Sequence, residues 1–465
     1  MHKYLFGTTD KPPLSYKVNE EIVFTVRAKS NQAFIECRNI RWYIDTDDGQ
    51  HLSGAGDIFP NKPLIVKTSL SKPGFARLTV RAFDKFGGLN PEFADLKNSA
   101  GAEIEKLDVS EPAPADYDEF WGEIEEKLAN FTPELIEKKQ IFDNVAEGFV
   151  SYDVKISTFV DTPASGVITM PKSGGPFNMQ LAFIGYGISA AQSCCNDNLI
   201  TAHFNAHGCE NDCTNFELQN RYMNTLENYG FNEKENEDPK TTYWYKMMIR
   251  NLCAAKYVKT LDEWNKKYLE CMGGSQGALQ AVTVAAHDKD VSFLEIAIPW
   301  FCNLTAERNG LIGGWRPKAQ NGVLYYDTVY QAKNVKCPVR ITAYLGDCIC
   351  PASTVTTLYN NFKTNKQLTF FQGGDHCPRP EEIEKYVFQY NPENATGEFK
   401  KGIWHHYQGE EFELLGTATD KETSQEVVIY KSAAGGDEVF VEPAYLWNEL
   451  VLDGDKRVKR VEFVR

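Results

Sequence analysis

The pentapeptide Gly273-Gly274-Ser275-Gln276-Gly277 places a serine among glycines and carries the first chemical signal of this chain. Alone, such a G-x-S-x-G match is a weak indication, since a serine between glycines is also an ordinary turn. Its neighbours favour the catalytic interpretation, because residues 268–272 have a strand pattern and residues 278–287 form a run of small helix-compatible residues. A strand, tight turn and helix in this order project the serine hydroxyl outward. The sequence therefore predicts Ser275 as a nucleophile.

A serine hydroxyl needs a base and an orienting carboxylate, which follow it in the order Asp, then His, on sheets of this type. The segment "RITAYLGDCICP" supplies Asp347 just after an apolar strand, and "LTFFQGGDHCP" supplies His376 after the next one. Active-site groups collect at the carboxyl ends of such strands. Of eight histidines, His376 has both the required chain order and the required loop. Asp375 competes with Asp347, but adjacent side chains rarely face each other, so Asp347 is preferred.

Two backbone N–H groups are predicted to stabilise a developing oxyanion. Gln276 opens the helix after the nucleophile, where N–H groups are unpaired and the helix dipole is positive. The second donor is expected in the loop after an early central strand, and Gly185-Tyr186-Gly187 is in that position. An ordinary glycine turn is the alternative for this loop. We predict the N–H of Tyr186 as the second donor.

The elements that must hold these residues fall into three segments of the 465-residue chain. Residues 1–111 contain short alternating runs typical of a β-sandwich, and "SEPAPAD" follows as a linker. Residues 112–396 open with a helix that Asp116 can cap, then alternate strands and helices, which predicts an α/β doubly wound sheet. Residues 397–465 alternate again and predict a small β-barrel. A nucleophile elbow therefore has a suitable scaffold, and the hydrolase segment is expected to retain the chemistry alone.

Composition limits the partners. The net charge of −15 and the absence of a Lys/Arg-rich run argue against nucleic acid, and no apolar run is long enough to span a membrane. Neutral substrates fit better. The N-terminus lacks the features of a signal peptide, so a cytoplasmic protein is expected, with secretion or a periplasmic location left open. The sequence leaves the oligomeric state, including a homo-oligomer, undecided.

The twelve cysteines are too dilute for a disulfide scaffold and favour a reducing compartment. Cys348 with Cys350, and Cys209 with Cys213, are candidate metal ligands, but neither pair has the spacing of a structural zinc site. Small buried thiols are the preferred interpretation. We predict neither a metal nor a cofactor.

Residues 113–390 resemble the acetyl xylan esterase and cephalosporin C deacetylase family of carbohydrate esterases. The similar segments are "PADYDEFW", "GYG", "GGSQG", "CPVRITAYLGDCICPASTVTTLYNNF" and "GGDH". The resemblance implies an α/β-hydrolase fold. Position by position, it implies the residues already reached from spacing: Ser275, His376 and Asp347 as the triad, with the N–H groups of Tyr186 and Gln276 as oxyanion donors.

Two departures from the family pattern stand out. An Arg-Gly-Gln segment is replaced by "FNAHGCE", which puts the family's loop packing and oligomer contacts in doubt, and His-Glu at the base is replaced by His376-Cys377, which removes a helper carboxylate. The N-terminal sandwich is similar to an immunoglobulin-like domain. The C-terminal segment resembles a small bacterial domain of unknown function.

The resemblance implies removal of O-acetyl groups from acetylated xylan or xylo-oligosaccharides through an acetyl-serine intermediate. The aromatic side chains of Tyr186, Trp300 and Trp315 are expected to line the sugar side, with packing as the alternative for the tryptophans. Two other functions stay open at this point. One is a carbohydrate-binding protein with a degenerate hydrolase core, and the other is a peptidase or larger-acyl esterase on the same fold.

Overall fold

A computed structural model describes residues 3–31, 33–377, 387–390, 399–420, 426–436 and 438–465 of the chain. Its N-terminal strands form two packed sheets with the orders β3-β2-β1-β8, where β6 joins β2, and β5-β4-β7-β9. The strands are β1 (Lys3–Thr9), β2 (Ile22–Ser30), β3 (Ala33–Ile35), β4 (Cys37–Thr46), β5 (His51–Ile58), β6 (Leu64–Thr68), β7 (Gly74–Ala82), β8 (Phe93–Ala94) and β9 (Leu96–Ala102).

The interior of this sandwich follows from strand alternation. Every second residue of β2 and β7 is buried, including Phe24, Val26, Leu78 and Val80, and these side chains share one apolar cluster. Successive side chains of a strand point to opposite faces, so a period of two gives each sheet one inner face. The predicted N-terminal sandwich is confirmed.

The middle of the chain forms a ten-stranded sheet with the order β10-β11-β12-β14-β13-β15-β16-β17-β18-β19. The strands from β14 to β18 in this order run parallel, and antiparallel strands flank them on both sides. They are β10 (Leu135–Ile141), β11 (Phe149–Ile156), β12 (Ala164–Pro171), β13 (Phe177–Phe183), β14 (Leu199–Phe204), β15 (Trp264–Gly274), β16 (Phe293–Ala297), β17 (Val339–Tyr344), β18 (Lys366–Phe371) and β19 (Val387–Tyr390).

Helices connect and cover these parallel strands, as expected of crossover connections. The helices of this segment are α1 (Tyr117–Asn130), α2 (Asn215–Leu226), α3 (Tyr243–Val258), α4 (Gln276–His287), α5 (Asn321–Leu324), α6 (Thr328–Ala332) and α7 (Ala352–Asn361). The largest apolar cluster contains side chains from the central strands and from α1, α3, α4 and α7. The predicted α/β doubly wound sheet is confirmed. In the described part of the chain, no helix is long and apolar enough to cross a membrane.

The expected cap of α1 was wrong in one detail. Asp116 is the residue before the helix, but its side chain makes no capping hydrogen bond. Its carboxylate accepts a hydrogen bond from the hydroxyl of Tyr325 instead. The helix is held by its buried face, with Phe120, Trp121 and Ile124 in the core. Tertiary packing therefore replaces the local cap that the sequence suggested.

The C-terminal strands form a separate antiparallel sheet with the order β23-β22-β21-β20-β26, beside a hairpin of β24 and β25. These elements are β20 (Gly402–His406), β21 (Glu411–Thr419), β22 (Glu426–Ser432), β23 (Phe440–Pro443), α8 (Ala444–Trp447), β24 (Leu450–Asp453), β25 (Lys456–Lys459) and β26 (Val461–Phe463). Their small core surrounds Trp447. The predicted boundary between residues 396 and 397 lies outside the described residues, and the boundary near residue 111 stays a prediction.

The turn from β15 to α4 is crowded, and glycines make it feasible. A Cβ on Gly277 would overlap the carbonyl oxygen of Phe183 in β13, and a Cβ on Gly273 would overlap the backbone of Gly277. Without these side chains, α4 packs directly on the sheet, burying residues such as Leu279. The strand, turn and helix predicted around Ser275 are therefore present.

We expect Gly277→Ala to lower the free energy of unfolding by about 1–3 kcal/mol, as other overpacked sites do. The overlap with the Phe183 carbonyl outweighs the ~1 kcal/mol by which alanine favours a helix over glycine, so a net loss remains. Gly274→Ala is the matched control, because its Cβ would meet nothing nearer than the Ala297 oxygen at 3.9 Å. That variant should stay within about 0.5 kcal/mol of the wild type in urea unfolding. Equal stability of the two variants would contradict the packing argument.

Candidate active site

Ser275 lies between the last residue of β15 and the first of α4, with φ 55° and ψ −119°. Residues with a β-carbon rarely adopt this backbone conformation, which costs of order 1–3 kcal/mol where it occurs. Its N–H donates to the carbonyl of Ala297 at 2.9 Å, and its carbonyl accepts the N–H of Trp300 at 3.3 Å. The backbone is thus anchored to the neighbouring strand and the segment after it, while the side chain projects from the turn.

The structure brings the three predicted triad side chains together. His376 Nε2 lies 3.1 Å from Ser275 Oγ, and His376 Nδ1 lies 2.9 Å from Asp347 Oδ2. Asp347 is 0% exposed, and its other oxygen accepts the N–H groups of Ile349 at 2.7 Å and Cys350 at 2.9 Å. An ionised carboxylate only accepts hydrogen bonds, so Nδ1 carries the proton and Nε2 presents its lone pair to the serine.

Asp375, the competing carboxylate, faces another set of groups. Its carboxylate accepts a hydrogen bond from the backbone N–H of His376 at 2.8 Å and forms an ion pair with Lys97 of the sandwich. It makes no contact with the imidazole ring among the described residues. The geometry therefore sets Asp347, and not Asp375, against the ring nitrogen.

The two predicted oxyanion donors lie on adjacent segments. Gln276 is the first residue of α4, so its N–H has no intrahelical acceptor. Neither this N–H nor that of Tyr186 donates to a backbone carbonyl within the described part of the chain. The loop of Tyr186 is tied to α4, because Gln280 Nε2 donates to the Ile184 carbonyl at 2.8 Å. Both N–H groups are available for an external acceptor.

A buried polar network holds this loop, and the sequence did not predict it. Tyr229 donates its hydroxyl proton to Gln276 Oε1 at 2.8 Å and accepts the N–H of Gly187 at 3.1 Å. His207 Nε2 donates to the Gly187 carbonyl at 2.9 Å, and its Nδ1 accepts from the Tyr243 hydroxyl at 2.6 Å. Burial lowers the pKa of His207 to about 4, so the ring is neutral and can play both parts.

His207 belongs to the segment "FNAHGCE", which the sequence had already marked as a departure from the family pattern. In this chain the replaced segment has a structural role, because the His207 imidazole binds the Gly187 carbonyl and so holds the loop of Tyr186. Tyr229 carried no comparable signal, because nothing around it in the sequence sets it apart from a core tyrosine. Its role depends on a ring contact as well, because it stacks on Tyr186 with centroids 4.3 Å apart.

Aromatic rings cluster beside the loop of Tyr186. Trp315 is 43% exposed and stacks on Trp300 with centroids 5.4 Å apart. Trp300 itself is 2% exposed, and its indole N–H donates to the Trp315 carbonyl at 2.5 Å. The sequence predicted that both rings line the sugar side. For Trp300 this prediction is wrong, because its ring is buried beneath that of Trp315. The ring centroid of Tyr186 lies 4.7 Å from that of Trp315, and these two rings form a surface that we call the aromatic wall.

The same region of the chain matches a known family. Residues 98–308 and 317–393 match the family described as acetyl xylan esterase (AXE1). The chain belongs to the acetyl xylan esterase family. Residues 402–463 match a second family, described as a protein of unknown function (DUF1653). The resemblances of residues 113–390 and of the C-terminal segment are confirmed, and the protein is a carboxylic ester hydrolase.

The chain is also similar to three named proteins. Acetyl esterase Axe7A of Xylanibacter ruminicola is 23% identical over 341 residues, which cover 68% of this chain and 73% of that protein. Acetyl xylan esterase from Paenibacillus sp. R4 has a TM-score of 0.50 at 17% identity, covering 61% of this chain and 96% of its own. Acetyl xylan esterase 1 from Thermoanaerobacterium sp. has a TM-score of 0.49 at 18% identity, with 60% and 94% covered. The Paenibacillus structure shows the shared α/β-hydrolase fold, and membership of the acetyl xylan esterase family makes this protein an acetyl esterase.

The cysteines of this family member are all unpaired. Among the described residues, no group of three or more potential metal ligands contains both Cys348 and Cys350, or both Cys209 and Cys213. In the described residues, one such group exists, formed by Asp347, Cys350 and His376 within the site itself. Burial raises the pKa of Cys350 well above its ordinary value, so that residue is a neutral thiol there.

The network around Tyr229 is open to test. We expect Tyr229→Phe to lower kcat roughly 10-fold or more, because Gly187 and Gln276 each lose a partner and the oxyanion donors lose their alignment. Tyr222→Phe is the control, since its hydroxyl bonds Glu210 beside α2 at 2.7 Å and not the oxyanion loop. Turnover of p-nitrophenyl acetate and thermal unfolding would be measured for both. Wild-type kcat in the Tyr229 variant would refute the network's role.

Proposed function

We propose that this acetyl esterase removes O-acetyl groups from acetylated xylan and xylo-oligosaccharides through an acetyl-serine intermediate. The observation that carries the proposal is the continuous chain of hydrogen bonds from Ser275 Oγ through His376 to the buried Asp347. It lies within the residues that match the family. A hydroxyl, a neutral imidazole and a fixed carboxylate in this order are the parts that serine acyl transfer requires.

In the first step, Ser275 Oγ attacks the acetyl carbonyl carbon while His376 Nε2 takes the hydroxyl proton. The carbonyl oxygen becomes an oxyanion, which the N–H groups of Gln276 and Tyr186 stabilise. When the intermediate collapses, the bond to the sugar oxygen breaks. His376 passes its proton to that oxygen, and the acetyl group stays on the serine.

In the second step, water attacks the acetyl-serine carbonyl and gives its proton to His376 Nε2. The oxyanion forms again at the same two N–H groups, and its collapse returns the proton from His376 to Ser275 Oγ and releases acetic acid, which gives its remaining proton to the solvent as acetate. Asp347 keeps its charge throughout, and it stabilises the imidazolium that exists during each proton transfer. Its two backbone donors and its full burial hold it in that role.

The sugar side of the site is the aromatic wall. Trp315 exposes a large flat ring next to Tyr186, and such surfaces suit the apolar faces of neutral sugars. A chain with a net charge of −15 also favours neutral over anionic polymers. The wall and the charge support an acetylated glycan as the substrate class.

The serine mechanism makes a direct prediction. Ser275→Ala should remain folded and lose several orders of magnitude in ester hydrolysis, because the attacking oxygen is gone. In the wild type, rapid acid quenching during turnover should trap one acetyl group, which peptide mass spectrometry would locate on Ser275. The proposed nucleophile would be rejected if the variant kept more than about a tenth of wild-type turnover, or if the acetyl group were found elsewhere.

The substrate class is tested with a panel. Acetate release from acetylated xylo-oligosaccharides should exceed hydrolysis of butyryl esters and of peptide amides, and Trp315→Ala should raise the KM for the oligosaccharide about 2- to 10-fold. The KM for p-nitrophenyl acetate should change little. Phe86→Ala, which removes an 86% exposed ring from a turn of the sandwich, is the control. Binding of the glycan without turnover would favour a carbohydrate-binding protein, and preference for butyryl esters or amides would favour the other hydrolases.

A further inference from the structure

The outer face of one sandwich sheet lies against the hydrolase. Strand alternation sends Phe75 and Arg77 of β7, and Lys97 and Ser99 of β9, to the face opposite the sandwich core. Phe75 joins the core of the hydrolase, where its ring lies 6.2 Å from that of Phe370. The two domains therefore share an interface at the side of the sheet where β17 and β18 end.

This face bonds directly to the two loops that carry the acid and the base. Ser99 Oγ donates to the Leu345 carbonyl at 2.5 Å, two residues before Asp347. The backbone of Ser99 makes two hydrogen bonds with the Gln372 side chain, its N–H donating at 3.1 Å and its carbonyl accepting at 2.8 Å. Arg77 Nη1 donates to the carbonyl of Asp347 itself at 3.4 Å.

The contact nearest the base is an ion pair. Lys97 Nζ binds the Asp375 carboxylate and also lies 3.2 Å from Cys348 Sγ. The same carboxylate accepts the backbone N–H of His376 at 2.8 Å. Burial disfavours the charged ammonium, but the hydrogen bonds and charge interactions with Asp375 and Cys348 together outweigh that cost and raise the pKa of Lys97. For Asp375, too, burial opposes the charge, but the interactions with Lys97, the His376 N–H and Cys348 together outweigh it and lower the pKa of the carboxyl. Both groups are therefore charged.

The packing leaves these loops little freedom on the sandwich side. A Cβ on Gly346 would overlap both the Lys97 carbonyl and the Gly374 carbonyl. Strand β9, the acid loop and the base loop thus meet at van der Waals contact around one glycine. A shift of β9 would move both loops.

We infer that the N-terminal sandwich is part of the catalytic site, and that Lys97 is a positioning residue that holds the base loop so that His376 reaches Ser275. This inference rests on the proposed function of His376. The path is short: Lys97 fixes the Asp375 carboxylate, the carboxylate fixes the His376 backbone, and the ring then spans Ser275 and Asp347. Displacing a catalytic group by about 1 Å can cost roughly 100-fold in rate.

The inference changes an expectation drawn from the sequence. The hydrolase segment beginning at residue 112 was expected to keep the chemistry alone, because it contains the whole triad and both oxyanion donors. It lacks Lys97, Ser99 and Arg77, and these three residues make the hydrogen bonds to the acid and base loops. The family match, which begins at residue 98, also includes part of β9.

Full-chain variants test the ion pair. We expect Lys97→Met and Asp375→Asn each to lower kcat for p-nitrophenyl acetate roughly 10- to 100-fold, with KM near the wild-type value, because neither side chain touches substrate. The double variant should be no slower than the slower single variant, since both remove one interaction. Arg81→Met is the matched control, because Arg81 forms an ion pair at 2.8 Å with Asp95, which belongs to the same sandwich domain. The kcat of this variant should stay within about twofold of the wild type.

The double variant also removes the unpaired carboxylate that Lys97→Met leaves behind, so it separates positioning from simple destabilisation. Low kcat in the double variant, with a wild-type thermal midpoint, supports the inference. Wild-type kcat in the double variant or in Lys97→Met overturns it, as does a loss of activity that only tracks loss of folded protein. Failure of the serine mechanism would appear separately, as turnover retained by Ser275→Ala.

Discussion

The site depends on one constraint, the sharp turn that holds Ser275 at positive φ between β15 and α4. A residue with a β-carbon persists in such a conformation only where the surroundings over-determine it, and here they do. Gly273 and Gly277 let the helix approach the sheet until any added Cβ would overlap backbone. The close packing fixes the turn, and the turn fixes the direction of the nucleophile.

Around this turn, support comes from two sides that differ in chemistry. On the oxyanion side, Tyr229 and a neutral His207 form a buried network. The Tyr229 hydroxyl and both ring nitrogens of His207 have hydrogen-bond partners, and a fully paired network makes the surrounding structure rigid. On the base side, the support is a charged pair from another domain, Lys97 with Asp375. The proposed nucleophile is thus held by the hydrolase itself, and its proposed base also receives support from the sandwich.

Magnitudes explain why the second support matters for rate more than for stability. A largely buried ion pair adds little net free energy to folding, because the loss of hydration offsets most of the attraction, and a net hydrogen bond contributes about 1 kcal/mol. These contributions are small compared with the free energy gained by burying the apolar core of the hydrolase. A triad, however, works only when its atoms meet at hydrogen-bond distance, as His376 Nε2 and Ser275 Oγ do at 3.1 Å. Weak contacts that set such a distance have large effects on turnover.

Local sequence determined what depends on short stretches of chain. The elbow at Ser275, the strands that end before Asp347 and His376, and the three-part fold followed from turn chemistry and periodicity, which act over a few residues. Tertiary structure decided what depends on how those stretches meet. It buried Trp300 beneath an exposed ring, and it joined Lys97 to a carboxylate 278 positions away. No local pattern encodes such a contact, because the packing of one domain on another creates it.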